Sequence, residues 1–315
     1  MGEREFVFNV VWAGTVFSYL RFFVQSQIAH TEAHFRFVAN ACPPAELALL
    51  EAFAASEPQV VEVLEVSRDE MVPHGTALER VRDARDDGEF FCLIDSDIRA
   101  SGPFVADFAA ILAGETDNER KIAGVTSGKG VWSTSDVVPE GHPGVNGEYF
   151  YSRDGFLFGS PHFAMYRRAA IDDVRDRWGV RFDSAGPDLA ESAAAALAAA
   201  GHDYWLYDTG KLVNVFLQES GHELRHQEHP NLLHIGGMTH YLSPPELSAA
   251  GPVAKLGRVD RTTWNADRLE VAEFSAAVLR GAVDGGTVPT IPEGLTSEVA
   301  EKLTMVRREI LAIVP

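Results

Sequence analysis

At 315 residues, 46% of them hydrophobic and 23% charged, the chain can bury a substantial core, as one large domain or two small ones. Its formal net charge of −19 counts against non-specific nucleic-acid binding and against docking on anionic lipid, which both depend on excess Lys and Arg. No apolar run reaches the ~20 residues of a bilayer span, and residues 5–24 lack a signal peptide's order of segments. No integral membrane span is therefore expected, and the default location is cytoplasmic. Two cysteines, Cys42 and Cys92, make no disulfide framework.

The first hundred residues alternate strand and helix signals. Residues 6–11 read as a strand, and residues 16–29 have helical length and spacing. Residues 35–39 are strand-like, and Pro43-Pro44 then opens a helix to about residue 55, with proline in its favoured first turn. Residues 60–66 form a third strand. A helix over about 75–87 ends at Gly88. The fourth strand is the run Phe90-Phe91-Cys92-Leu93-Ile94, apolar throughout as a strand buried on both faces should be. This order implies an α/β fold with a mostly parallel sheet flanked by helices.

The second half is less regular. Residues 104–112 suggest a helix and 122–126 a strand. Residues 127–155 form a long segment rich in Gly, Ser, Pro and Asp, and loops of that length in a compact domain tend to be functional or disordered. Residues 167–178 read as a helix and 189–200 as an Ala-rich one. Residues 204–207 and 212–216 read as short strands. A His-rich stretch covers 222–240. Residues 244–315 read as a helical C-terminal extension, with helices near 267–282 and 297–313 that offer a surface for a homodimer.

The fourth strand runs directly into Asp95-Ser96-Asp97. In open α/β sheets the ligand crevice lies beyond the carboxyl ends of the strands, so this acidic pair sits at its mouth. Paired carboxylates there are hard ligands for a divalent cation, Mn²⁺ or Mg²⁺, which would neutralise a diphosphate. The same Asp-x-Asp also reads as an ordinary solvated turn. His222, His226 and His229 invite a zinc site on a helix face, but no Glu-containing zincin motif accompanies them.

Three segments together resemble a nucleotide-sugar glycosyltransferase of the GT-A fold, closest to family-2-like inverting enzymes. They are Gly75 to Arg80 continuing through Gly88 to Asp97, then Gly159-Ser160-Pro161-His162-Phe163 to Arg168, and Leu233-His234-Ile235-Gly236-Gly237. The first strand and the general-base motif depart from the family's usual pattern. The resemblance implies a GT-A-like Rossmann-type catalytic domain over residues 1–243. Residues 1–100 would be its nucleotide-binding half and 101–243 its acceptor half.

It further implies a UDP- or GDP-type sugar donor and transfer to a hydroxyl of a small-molecule or glycan acceptor. Asp97 would contact the metal, with Asp95 on metal or ribose and His234 completing the sphere. Asn40, Arg80, Asp95 and Ser96 would hold the donor. Asp188 takes the place of the catalytic base, with Glu191 as its competitor; both also read as helix-capping residues. Trp132, Tyr149 and His162 would face the acceptor. Competing readings are a haloacid-dehalogenase-type phosphatase, which also places Asp-x-Asp after a strand, a sugar nucleotidyltransferase, and a non-catalytic nucleotide-sugar-binding protein.

Overall fold

A computed structural model describes residues 2–86, 88–114, 122–127, 130–131, 150–151, 157–159, 162–201, 207, 209–242 and 266–315. The first half follows the expected alternation: β1 (Val7–Ala13), α1 (Phe17–Ile28), β2 (His34–Asn40), α2 (Pro44–Ser56), β3 (Val60–Ser67), α3 (His74–Ala84) and β4 (Phe90–Ile94). There follow β5 (Ile98–Ala100), α4 (Val105–Ala113), β6 (Ile122–Ser127), β7 (Phe150–Tyr151), β8 (Leu157–Phe158), β9 (Phe163–Arg167) and α5 (Arg168–Trp178). The described chain continues through α6 (Glu191–Ala199), α7 (Lys211–Glu219), β10 (Glu223–His226), β11 (Leu232–His234), α8 (Met238–Leu242), α9 (Ala266–Val283) and α10 (Ser297–Leu311).

Seven strands form one sheet in the order β10-β6-β9-β4-β1-β2-β3. All neighbours are parallel except β9, which runs antiparallel to both β4 and β6. From β1 the chain steps outward to β2 and β3, then returns to place β4 on the other side of β1. The strand order therefore reverses between β1 and β4, and a crevice opens beyond their carboxyl ends. Asp95 is the first residue past β4 at that point.

The period-2 alternation of a strand explains why β4 is apolar throughout. Phe90, Cys92 and Ile94 join one buried cluster, with β1, β2, α1, α4 and residues of α9 and α10. Phe91 and Leu93 join the other, with Leu78 and Val81 of α3 and with residues of α5, α6 and α7. Cys92 and Cys42 are both buried and free, and Cys92 is the core residue its position suggested.

The C-terminal helices pack on the face that carries α1. Val271, Leu279, Leu303 and Val306 belong to the same cluster as Phe8 and Trp12. Arg99 of β5 forms an ion pair with Glu309 of α10, and Lys302 Nζ donates to the Val131 carbonyl at 3.0 Å.

One element differs from expectation. Residues 212–216 lie within the helix Lys211–Glu219, not in a strand. Val213 and Val215 flanking Asn214 mimic strand alternation over five residues, a window too short to separate a strand from a helix, and the helical period shows only over the whole of Lys211–Glu219. Tyr204, Trp205 and Leu206 lie outside the described residues. His226 ends the strand Glu223–His226 and His222 and His229 flank it, so these histidines share no helix face and the helical zinc reading falls away.

Candidate functional site at the strand-order reversal

Strand register brings the site together. β4 pairs with β9 so that Ile94 faces Phe163, and the next hydrogen bond runs from the Asp95 amide to the His162 carbonyl at 2.7 Å. Asp95 and His162 are thus neighbours through the sheet, although 67 positions separate them. In the same way β11 pairs with β5, placing His234 against Ile98, and the Ile235 amide donates to the Asp97 carbonyl at 3.2 Å. Buried Gln27 of α1 clamps the intervening turn, its amide donating to the Asp95 and Ile98 carbonyls at 3.1 and 2.7 Å.

The side chains converge on one point. Asp95 Oδ2 lies 3.2 Å from His162 Nδ1 and 3.6 Å from His234 Nε2. His234 Nε2 is 3.2 Å from Asp97 Oδ1, and the two imidazole rings lie 4.0 Å apart between centroids. Asp95, His162 and His234 each offer a ligand atom within 4.8 Å of the others. His74, at the first turn of α3, adds its Nε2 at 3.9 Å from Asp95 Oδ1.

Asp97 is 5% exposed, and its Oδ2 accepts the Met238 amide at 3.2 Å. Two consecutive glycines make this contact reachable. Gly236 and Gly237 have φ of 82° and 73°, a left-handed backbone that side-chain-bearing residues rarely adopt, and they turn the chain so that α8 begins against Asp97. Burial is the largest influence on the Asp97 carboxyl and favours its neutral form. The charge and hydrogen bond of His234, the Met238 amide and the charge of His162 together outweigh it, so the group is held below the usual aspartate range. Behind His162, His226 Nδ1 lies 2.8 Å from Thr126 Oγ1. Burial first, and then the charge of His162, pushes the pKa of His226 down to about 3, so its imidazole stays neutral at physiological pH.

The other expected site residues take varied positions. Ser96 is buried within the turn. Asn40 is 2% exposed and spends both ends of its amide on Val72, donating to its carbonyl at 2.8 Å and accepting its N–H at 3.0 Å. Arg80 donates to the Val66 carbonyl at 2.6 Å. Asp188 is exposed, and its Oδ1 accepts the Ala185 and Gly186 amides at 2.9 and 3.1 Å. It closes its own loop and does not cap α6, whose first residue is the exposed Glu191. Trp132 and Tyr149 lie outside the described residues.

The Asp188 loop is pinned beside the centre. Thr76 Oγ1 donates to Asp183 Oδ2 at 3.1 Å, and a Cβ on Gly75 would stand 2.3 Å from the Phe182 carbonyl oxygen. Only glycine lets the loop approach the same turn of α3 that carries His74. Sequence reasoning missed His74 and Gln27. For His74 the available signal was its place just before Gly75, at a helix start following a strand and so on the crevice side of the sheet. Gln27 gave none beyond being polar on an otherwise apolar helix.

A cavity of about 620 Å³ opens beyond β2 and β3, lined in part by Ala41, Cys42, Leu47, Glu65, Arg68 and Met71. Ala41 adopts φ of 53° at its rim, a strained conformation for a residue with a side chain. Burial, the largest influence, pushes the Cys42 thiol up to about 12, which leaves it unreactive.

No protein-family model matches the sequence, and no curated protein matches it either. Among solved structures the chain is similar to S. aureus TarS 1-349 in complex with UDP-GlcNAc, at 13% identity and a TM-score of 0.46, covering 98% of this chain and 82% of that one. It is similar to S. aureus TarS at 14% identity and a TM-score of 0.45, over 98% of this chain and 54% of that one. A third is the mannosyltransferase PcManGT from Pyrobaculum calidifontis in complex with GDP-Man and Mn²⁺, at 12% identity and a TM-score of 0.44, covering 99% and 86%. At these values it is the chain's own strand order and side-chain geometry that carry a functional reading.

Proposed function

We propose that the chain is a glycosyltransferase that moves a sugar from a nucleoside-diphosphate donor to an acceptor hydroxyl, with inversion, using a divalent cation. The observation that carries this reading is the convergence of Asp95, His162, His234 and Asp97 at the reversal of strand order. The donor set fits a cation: carboxylate and imidazole atoms meet at separations that ligands of a single ion take up. When bound there, a dication supplies electrostatic stabilisation of the charge that builds on a departing diphosphate.

The chain's own residues perform the remaining tasks. Gln27 and the Met238 amide hold the acidic turn in place, so the donor's phosphates meet a preorganised site. The cavity beyond β2 and β3 is large enough to take the nucleoside part of such a donor. Asp188 takes the proton from the acceptor hydroxyl as the oxygen attacks the anomeric carbon, with Glu191, three residues on at the start of α6, as its alternative. A haloacid-dehalogenase-type phosphatase fits less well, because Asp95 carries two imidazoles where that chemistry needs a free attacking carboxylate.

Thermal stability against UDP-, GDP-, TDP- and CDP-nucleotides, each with and without Mn²⁺, tests the proposal. A ligand that binds only the folded state adds about 2.7 kcal/mol of stability at a hundredfold excess over Kd, and the melting point rises with it. One nucleotide should raise it in a metal-dependent way, and Asp97→Ala should abolish the rise. Absence of a shift with every nucleotide would sink the reading.

A further inference from the structure

We propose that Asp95, His162 and His234 form a cation site selective for a borderline transition-metal dication, of the Zn²⁺ or Co²⁺ class, over Mg²⁺. His162 is the ligand that sets the preference. This deepens the transferase reading, from which it takes only that a cation binds in this crevice.

Geometry comes first. Donors about 2.0–2.1 Å from one ion stand about 2.9 Å apart at a right angle and about 3.4 Å apart at a tetrahedral angle. The separations of Asp95 Oδ2 from His162 Nδ1, 3.2 Å, and from His234 Nε2, 3.6 Å, bracket the tetrahedral value. Three protein donors leave the fourth position of such an ion open to a phosphate oxygen, with Asp97 beside it. The Met238 amide holds its Oδ2, which leaves Oδ1 at 3.2 Å from His234 Nε2.

Donor chemistry decides the ion. Mg²⁺ favours an octahedral shell of oxygens and keeps several of its waters. Imidazole nitrogen suits Zn²⁺, Co²⁺ and their neighbours, whose affinity for such ligands rises along the series. Two carboxylates alone would leave the site open to Mg²⁺. Two imidazoles turned onto the same carboxylate oxygen change that. Neither histidine is there by side-chain chance. His162 is fixed by the β4–β9 register and His234 by the β5–β11 register, so the ligands come from backbone segments held by sheet hydrogen bonds. The site is also sheltered, with the side chains of His162 and His234 only 13% and 12% exposed, which limits the water that a hydrated Mg²⁺ would bring with it.

The test is spectroscopic and needs no turnover. Chelator-treated full-length protein is titrated with CoCl₂, and the visible d–d bands of nitrogen-ligated Co²⁺ are followed. One equivalent should bind with these bands, Zn²⁺ should displace it stoichiometrically, and a hundredfold excess of MgCl₂ should not. His162→Ala should weaken Co²⁺ binding at least tenfold and shift the bands. His162→Asn, which keeps a hydrogen-bond donor toward Asp95, should do the same while retaining the wild-type melting temperature, separating ligand loss from misfolding. No Co²⁺ bands, ready displacement by Mg²⁺, or unchanged binding in His162→Asn would each overturn the proposal. If the bands appear as described and no nucleotide shifts the Co²⁺-loaded protein, the ion assignment stands and the transferase reading falls. A nucleotide shift supported by Mg²⁺ and indifferent to His162→Asn would overturn the ion assignment and leave the transferase reading standing.

Discussion

The two sides of the strand-order reversal use their polar residues differently. On the β1–β2–β3 side they are spent on the scaffold. Asn40 is consumed by the Val72 backbone, Arg80 by the Val66 carbonyl, and buried Arg36 by Glu62 and by Asn9 Oδ1 at 3.0 Å. On the β4–β9–β11 side Asp95, His162, His234 and Asp97 face one another, and the main chain is held instead by Gln27 and by strand register. A polar side chain satisfied by backbone contributes rigidity. One that shares a point in space with other titratable groups contributes chemistry. The β1–β2–β3 side therefore offers a shaped cavity, and the β4–β9–β11 side a cluster of titratable groups.

The largest expected effect falls on turnover. Asp188 holds its loop through one carboxylate oxygen, an acceptor that asparagine also has. Asp188→Asn should keep the fold and the nucleotide-dependent thermal shift. It should slow nucleoside-diphosphate release from the matching sugar nucleotide by about 10²–10⁴-fold, the usual contribution of a positioned base. Binding lost together with turnover would make Asp188 part of the scaffold and blur the division between the two sides.

Stability should separate them next. Asn40→Ala removes the partner of the part-buried N–H and carbonyl of Val72 and should cost about 1–2 kcal/mol in denaturant unfolding. Its Co²⁺ spectrum should match wild type. Asp95→Asn should do the reverse, erasing the Co²⁺ bands while changing stability by less than about 1 kcal/mol, as substitutions at sites arranged for function commonly do. Equal stability losses in the two variants would show that the central cluster is structural after all.

How much of this could be read from the sequence follows the range of the interactions. β4 and its acidic pair were legible because a continuous apolar run followed by carboxylates is a local signal, and the helix after Pro43 was announced by proline itself. The antiparallel insertion of β9 between β4 and β6 is a pairing over long separations, and nothing local encodes it. His162 shows the consequence. Its segment was recognisable and suggested an acceptor-facing role, yet its proximity to Asp95 depends on the β4–β9 register. Asn40 was correctly placed at the end of β2, but its amide is committed to a backbone 32 positions away. Asp188 was placed at the start of the Ala-rich helix, and the structure instead closes a preceding turn with it. Residues were thus easier to locate than to pair, and roles depend on pairing.

The smallest expected effect tests the scaffold side alone. Glu46 of α2 is 7% exposed and accepts the Ser18 amide at 3.1 Å, at the start of α1. Burial, its largest influence, raises its pKa above the ordinary 4.5, against the opposing pull of the Ser18 and Phe17 amides and of Arg21. A raised value in the folded state means that the folded protein holds a proton the unfolded chain has released. The stability from that proton is complete below the unfolded value and is lost as pH rises through the folded one. Above that window the protein keeps a charge in a poorly solvated place. Glu46→Gln retains an acceptor oxygen without the charge, so its melting temperature should exceed wild type modestly at about pH 8 and converge with it near pH 4. A deficit at the higher pH would mean that the carboxylate's attraction for the helix N-terminus outweighs its desolvation. Glu46 would then be a charged cap, and the scaffold side would depend on electrostatics as much as the centre does.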